Sequence, residues 1–431
     1  MSTEKNNGKL VAIIAMMFLF AMISFVTNMA APFGQIWKIQ YEWAGMMGNM
    51  MNFAAYLFMG IPAGMMITRM GYKKTALVAL LLGFIGIAVQ YLSSTLDGTA
   101  ISTYVVYLLG AFICGFCVCI LNTVVNPMLN LLGGGGNKGN QLIQTGGSMN
   151  SLAGTFTPLL VGAMIGQVTK STSMQDVAPL LIIAMGIFAA SFIIIFFTKI
   201  VEPEQAEGNM TEMIKDALGY RHLVLGIIAI FLYVGVEVGI PGEMIFYLSK
   251  PVSEGGVLGS AAIAGTVAAM YWLLMLVGRL TSSFISGKVS TRTQIVTVCS
   301  VALVLLLAAI FVPESETFSL PGSAESPVDL VIFQLTGGEL PIKCLFLVLC
   351  GLCTSVMWGG IFNLATEGLG KYTAAASGLF MTMVVGGGAL PLVQDYVAGI
   401  VGYIQSYWVI VAAVAYMLFF GVIGSKPAKK D

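Results

Sequence analysis

Residues 10–37 read LVAIIAMMFLFAMISFVTNMAAPFGQIW, a stretch without one charged side chain between Lys9 and Lys38. It exceeds the ~20 residues needed to cross ~30 Å of hydrocarbon. It is too long for a signal-peptide core and lacks the small-residue cleavage site expected after one. The stretch therefore reads as a retained membrane helix, and the rest of the chain repeats the pattern. Apolar runs bounded by charges or turn residues fall at 10–37, 43–68, 75–93, 103–132, 141–167, 178–199, 222–248, 259–287, 294–312, 342–366, 373–398 and 406–424. None alternates apolar and polar residues as a barrel strand does. The expected fold is all-α, with twelve transmembrane helices.

Composition agrees. Lys+Arg 20 and Asp+Glu 20 make up only 9% of 431 residues, while 58% are hydrophobic. An ordinary soluble domain carries roughly 25% charged residues. A soluble enzyme, a nucleic-acid binder and a disordered chain are excluded, and zero net charge argues against a polyanionic partner.

Twelve spans place both termini on one side of the membrane. With the termini in the cytoplasm, 16 Lys and Arg residues fall inside, Arg69, Lys73 and Arg279 among them. Only Lys38, Lys170, Lys250 and Lys343 fall outside. Basic residues concentrate on the cytoplasmic side of membrane proteins, so this orientation is expected. The segment 313–341 is then an acidic external loop, and 200–221 a charged cytoplasmic linker. The expected organisation is a first bundle at 1–199, the linker at 200–221 and a second bundle at 222–431.

The halves echo each other. Cys114-Gly115-Phe116-Cys117 returns as Cys350-Gly351-Leu352-Cys353, an offset of 236. Ile67-Thr68-Arg69 returns as Ile285-Ser286-Gly287, an offset of 218. One insertion in the 313–341 loop accounts for the difference, and pseudo-symmetric bundles follow.

Several motifs look chemical. Both Cys-x-x-Cys pairs lie inside apolar spans and have no His or thiol partner nearby, so they read as packing residues. Gly134-x-Gly136-x-x-Gly139 follows a membrane span rather than a strand and reads as a tight turn. His222, the sole histidine, precludes a Ser-His-Asp triad. No nucleophile or metal constellation appears in the spans, and no enzyme is expected.

Polar residues inside the spans are more telling, because lipid rejects them. Asn122, Asn126 and Asn130 recur every four residues and form one stripe; Asn49, Asn52 and Tyr56 form another. Asn28, Gln144, Asn150, Asn363 and Gln394 add single amides. Carboxamides offer paired donors and acceptors, which suits a polyhydroxylated ligand. Phe53, Tyr233, Trp272 and Trp358 are candidates to stack on a sugar ring. The alternative is that these amides join helices.

Glu237 lies mid-span in Tyr233-Val234-Gly235-Val236-Glu237-Val238, where a lone charge must be paired, hydrated or protonated. It is the candidate coupling residue, with a structural hydrogen bond as the alternative. Glu243, beyond Pro241, is expected to be solvated at the outer end. Pro241 and Gly386-Gly387-Gly388 ahead of Pro391 are candidate bending points; tight helix packing explains the glycines equally well.

These stretches resemble the fucose/glucose/galactose permease family of the major facilitator superfamily. The matches are Ile61-Pro62-Ala63-Gly64 leading to Arg69-x-Gly71-Tyr72-Lys73, Asn126-Pro127, Tyr233-Val234-Gly235-x-Glu237-Val238, Gly278-Arg279, Glu367-Gly368-Leu369-Gly370-Lys371 and Gly386 to Gly388. The resemblance implies two six-helix bundles, a central sugar site and alternating access driven by proton symport. It also implies a gating loop holding Gly64, Arg69, Gly71 and Lys73. The family's helix-one and helix-four acids fall on Asn28 and Asn122, and its sugar-binding amide falls on Asn150. An amide carries no proton, so coupling through the first two positions is lost here. Thr68 stands where the loop motif commonly has an acid.

The expectation is a secondary transporter importing a hexose or deoxyhexose through a bacterial inner membrane. Asn28, Asn49, Asn52, Asn122, Asn126, Asn150 and Asn363 are the candidate sugar ligands and Glu237 the coupling residue. No cofactor is expected beyond a coupling ion, proton or sodium. The expected partners are the sugar and membrane lipid, not nucleic acid, and the chain is expected to be monomeric. A uniporter or sodium-coupled carrier of a sugar or another small polar solute is the alternative.

Overall fold

The computed structural model describes residues 2–96, 100–132, 136–166, 169–198, 210–251, 253, 256–285, 289–319, 339–369 and 372–427. Side chains of Thr68, Asn130 and Gln144 lie outside that description, as do Gly134, Gly370 and Lys371.

Apolar sequence in hydrocarbon must satisfy its backbone internally, which makes these runs helices. In chain order they are α1 (Ser2–Gln40), α2 (Met47–Ser94), α3 (Ile101–Leu132), α4 (Gly136–Ile165), α5 (Ala178–Phe197), α6 (Met210–Ala217) and α7 (Arg221–Ser249). There follow α8 (Ala261–Ile285), α9 (Thr291–Phe311), α10 (Ile342–Thr366), α11 (Thr373–Met383), α12 (Gly386–Val401) and α13 (Tyr403–Phe419). Among the described residues, 11 segments are long and apolar enough to cross a membrane. The twelfth expected span is α4, whose 30 residues are ample in length but rich in Asn, Gln, Ser, Thr and Gly. It sits against α8 and α1, where polar side chains meet protein rather than lipid.

Two expected spans are the halves of α2, divided at Gly71. Its φ of 82° and ψ of 170° break the helix in a region open chiefly to glycine. Thr75 Oγ1 donates to the Gly71 carbonyl at 2.7 Å and holds the second half's start. Gly368, with φ 75°, likewise ends α10 after Thr366. Chain direction then defines a terminal face, bearing Gly71, Arg221 and Gly368, and a distal face, bearing Gln40, Lys250, Phe311 and Ile342.

The internal echo holds in three dimensions. A Cβ on Gly115 would collide with the Asn52 carbonyl on α2, and one on Gly351 with the Tyr271 carbonyl on α8. The paired glycines thus admit equivalent helix crossings in the two halves, and small residues are what such crossings require. The cysteines beside them are buried and unbridged, with Cys114 against Gly86 and Cys117 against Gly83.

The expected bend before Pro391 is a break: α11 ends at Met383 and α12 begins at Gly386. Proline has no N–H, so the Gly387 carbonyl, four residues earlier, loses its helical donor. Asn49 Nδ2, on α2, supplies one at 2.7 Å. Gly386 admits the backbone of Phe231 on α7, and Gly387 and Gly388 admit Phe53 and Met50 on α2. Bending and close packing therefore coincide at one place. Two elements were not expected from sequence: α6, inside the linker, and a short antiparallel ribbon pairing β1 (Thr317–Ser319) with β2 (Glu339–Pro341).

Candidate functional site

Four of the candidate asparagines lie on α1, α3 and α4 of the first bundle. Asn122, in the second half of α3, donates Nδ2 to the Tyr56 hydroxyl of α2 at 2.7 Å. Asn126, one turn on, donates to the Asn122 carbonyl at 2.9 Å. Asn28 on α1 donates to Ser24, to its carbonyl at 2.9 Å and its hydroxyl at 3.0 Å. Asn150 on α4 donates to the Phe20 carbonyl of α1 at 3.3 Å. All four are half-buried. Their donors are held by protein, and among the described residues no hydrogen bond occupies their side-chain oxygens. Four fixed acceptors facing accessible space suit a ligand rich in hydroxyls.

The second bundle closes on this group through α8. Gly154 of α4 lacks a Cβ where one would touch both the Trp272 ring and Ser24. The indole therefore lies against α4 one turn from Asn150, beside the hydroxyl that orients Asn28. About two turns toward the terminal side stands Arg279, which lies within the expected span 259–287 and counts from sequence among the cytoplasmic charges. It is inside α8, with a side chain only 11% exposed, and bonds Glu237 Oε1 of α7 at 3.2 Å. Its other nitrogen donates to the Gly147 carbonyl at 2.6 Å and Ser151 Oγ at 2.8 Å, both on α4. Glu237 is thus paired, and its partner spans the two bundles. Tyr233 lies a turn away and packs on Trp358 at 6.1 Å between ring centroids.

The other candidates do not join this group. Asn49 is fully buried and serves the Gly387 carbonyl. Asn52 is buried where α2 crosses Gly115, and its side-chain oxygen has no partner. Asn363 is exposed near the terminal end of α10. In the α2 loop, Gly64 has open space around its Cβ position, Arg69 is exposed and Lys73 half-buried. His222 is buried, bonding the Glu367 carbonyl at 2.9 Å and joining α7 to the end of α10. Among the described residues, no three His, Cys, Asp or Glu side chains are placed to hold a metal ion.

Sequence reading missed a second polar centre near the distal face. Lys38, in the last turn of α1, forms an ion pair with Asp395 of α12, both side chains largely buried. Its ammonium sits over the Phe246 ring at 4.5 Å and the Tyr403 ring at 5.5 Å. Glu243, expected to be solvated, is fully buried beside this pair, and neither carboxyl oxygen has a hydrogen-bond partner. The one available signal was that Lys38 and Asp395 both stand near the distal ends of the expected spans 10–37 and 373–398. Further ties surround this centre: Lys250 to Glu42 at 3.9 Å, Gln40 to the Lys170 carbonyl at 2.8 Å, and Ala261 N to the Gly166 carbonyl at 2.9 Å. The first and last of these join one bundle to the other and close the distal half, while the Gln40 tie lies within the first bundle.

Residues 11–392 match the family model described as the Major Facilitator Superfamily. A glucose/galactose transporter of Brucella abortus is 27% identical over 434 residues, covering 99% of this chain and 96% of that protein. The L-fucose-proton symporter of Escherichia coli is 21% identical, covering 91% and 87%. A crystal structure of a fucose:proton symporter variant from E. coli superposes with a TM-score of 0.69 at 18% identity, over 97% of this chain and 100% of that one. That likeness establishes the two-bundle, twelve-span fold. The chain belongs to the major facilitator superfamily and is a membrane transporter, not an enzyme.

Proposed function

We propose that this transporter carries a monosaccharide, a hexose or deoxyhexose, across a bacterial cytoplasmic membrane by alternating access coupled to a cation. The observation that carries the reading is the set of acceptor oxygens on Asn28, Asn122, Asn126 and Asn150 of the first bundle, with Trp272 packed between the helices that bear Asn28 and Asn150. Amides bind hydroxyls while the indole face covers the apolar side of a ring. The relatives named for glucose, galactose and fucose support the same solute class. Basic residues concentrated on the terminal face support a cytoplasmic assignment for it. The distal half, where the bundles are tied together, is then the extracytoplasmic one.

In this reading Glu237 and Arg279 form the floor of the site. Glu237 already has a cation partner, so it accepts sugar hydroxyls and fixes Arg279 against α4. Breaking Arg279 from Gly147 and Ser151 accompanies the opposite rocking of the bundles. Asn28 and Asn122 carry no proton, which leaves coupling to another group and keeps sodium coupling or uniport as measurable alternatives.

The test is uptake of a panel of labelled sugars into proteoliposomes, with the pH and sodium gradients varied independently. Saturable uptake of at least one monosaccharide is expected, with accumulation following one of the gradients. Uptake of another solute class in place of any sugar defeats the assignment; uptake without accumulation under either gradient makes the protein a uniporter.

A further inference from the structure

Glu243 is the most isolated charged group in the described structure. It is fully buried, both carboxyl oxygens lack a hydrogen-bond partner, and no salt bridge reaches it. Its surroundings fix what it faces. One turn before it, Gly239 touches the side-chain oxygen of Gln394, the neighbour of Asp395. One turn after it, Phe246 lies under the Lys38 ammonium. Asp395 and Lys38 are its charged neighbours. From α13, Tyr407 also faces it, but that hydroxyl is committed to the Ile240 carbonyl at 2.8 Å. Glu42 and Tyr104 lie near Asp395 rather than near Glu243. Tyr104 donates to the Ala44 carbonyl at 2.8 Å.

The charge count decides the chemistry. Beside Glu243 the closed distal half holds one cation, Lys38, and one further carboxyl, Asp395, whereas Lys250 and Lys343 are paired with Glu42 and Glu314. Lys38 is engaged by Asp395, and a second carboxylate without donors is not tolerated in a dry interior. We propose that Glu243, with Lys38 and Asp395, is a proton-binding site, and that the distal side closes only after Glu243 has taken up one proton. When the distal side opens, water reaches the carboxyl and accepts that proton. When it closes, the proton returns to one Glu243 oxygen and the cluster becomes neutral. The site lies between α1 of the first bundle and α7 and α12 of the second, so closure itself assembles it.

The inference rests on the transporter reading only in requiring alternate opening of the two faces, not on which solute is carried. Its test therefore uses no solute. The seven native cysteines are all buried, so spin labels introduced through Ser102→Cys and Gln405→Cys, both exposed at distal helix ends, report distal separation. The full chain is reconstituted in liposomes and distances are measured across a pH series. The wild type should shift from the short to the long distance as pH rises, by up to about tenfold in population ratio per pH unit for a one-proton step. Glu243→Gln should stay closed at every pH. Asp395→Asn leaves one cation for one acid and should also lose the titration, which keeps the test decisive if Glu243→Gln does not fold. Glu237→Gln should titrate like the wild type. A wild type insensitive to pH, or either distal variant titrating normally, overturns the proposal. Failure of every sugar to be transported would defeat the proposed function while leaving this titration intact.

Discussion

The mid-span asparagine cluster and the distal Lys38–Glu243–Asp395 cluster solve the same difficulty, polar groups in a membrane, in opposite ways. In the first, each amide donor is tied to its own or a neighbouring helix and the acceptor is left for a ligand. Nothing there changes charge, so the site can stay half-open without penalty. In the second, ionisable groups are sealed among aromatic rings, one carboxyl without any partner. That arrangement is tolerable only in one protonation state. Recognition and coupling are therefore separated along the membrane normal, with Glu237 and Arg279 as a paired tie on the terminal side of the recognition group.

Variants can break or sharpen this contrast. Arg279→Met should have the largest effect, because it leaves Glu237 buried and unpaired and removes the tie to α4; loss of a buried pair's partner costs about 3–5 kcal/mol. Thermal unfolding in detergent should show the loss, and the double variant with Glu237→Gln should be less destabilised than additivity requires. Asn49→Ala should follow at about 1–3 kcal/mol, since the carbonyl orphaned by Pro391 loses its replacement donor; the same melting assay reads it. Asn122→Ala should weaken solute affinity by roughly 2–10-fold, the worth of one hydrogen bond, measured as KM in counterflow. Its pH profile should match the wild type, because the amide does not titrate. Asn363→Ala, exposed and remote, should change stability by less than about 0.5 kcal/mol and leave KM unaltered.

Much of the fold is legible in the sequence because lipid enforces it. Apolar run lengths give every span, Gly71 marks one reversal, and the paired Cys-Gly-x-Cys stretches mark equivalent crossings. The mid-span amides are legible for the same reason: they repeat at helical spacing where lipid would exclude them. Pairings between distant residues are not legible. Asp395 stands 357 positions from Lys38, and each alone reads as a helix-end charge. Arg279 reads as an orientation signal until its bonds to Glu237, Gly147 and Ser151 are seen. The role of Asn49 depends on a proline 342 residues later, which no local pattern connects to it. The ribbon of β1 and β2 forms from segments too short to carry a periodic signal.

The separation of recognition from protonation is tested most directly by counterflow of a labelled monosaccharide, with equal pH and sodium on both sides, in wild type and Glu243→Gln. The account predicts exchange by both proteins in acid, with the wild type slowing as pH rises and the variant indifferent to pH. Absence of monosaccharide exchange in the wild type, or the same decline in the variant, would contradict it.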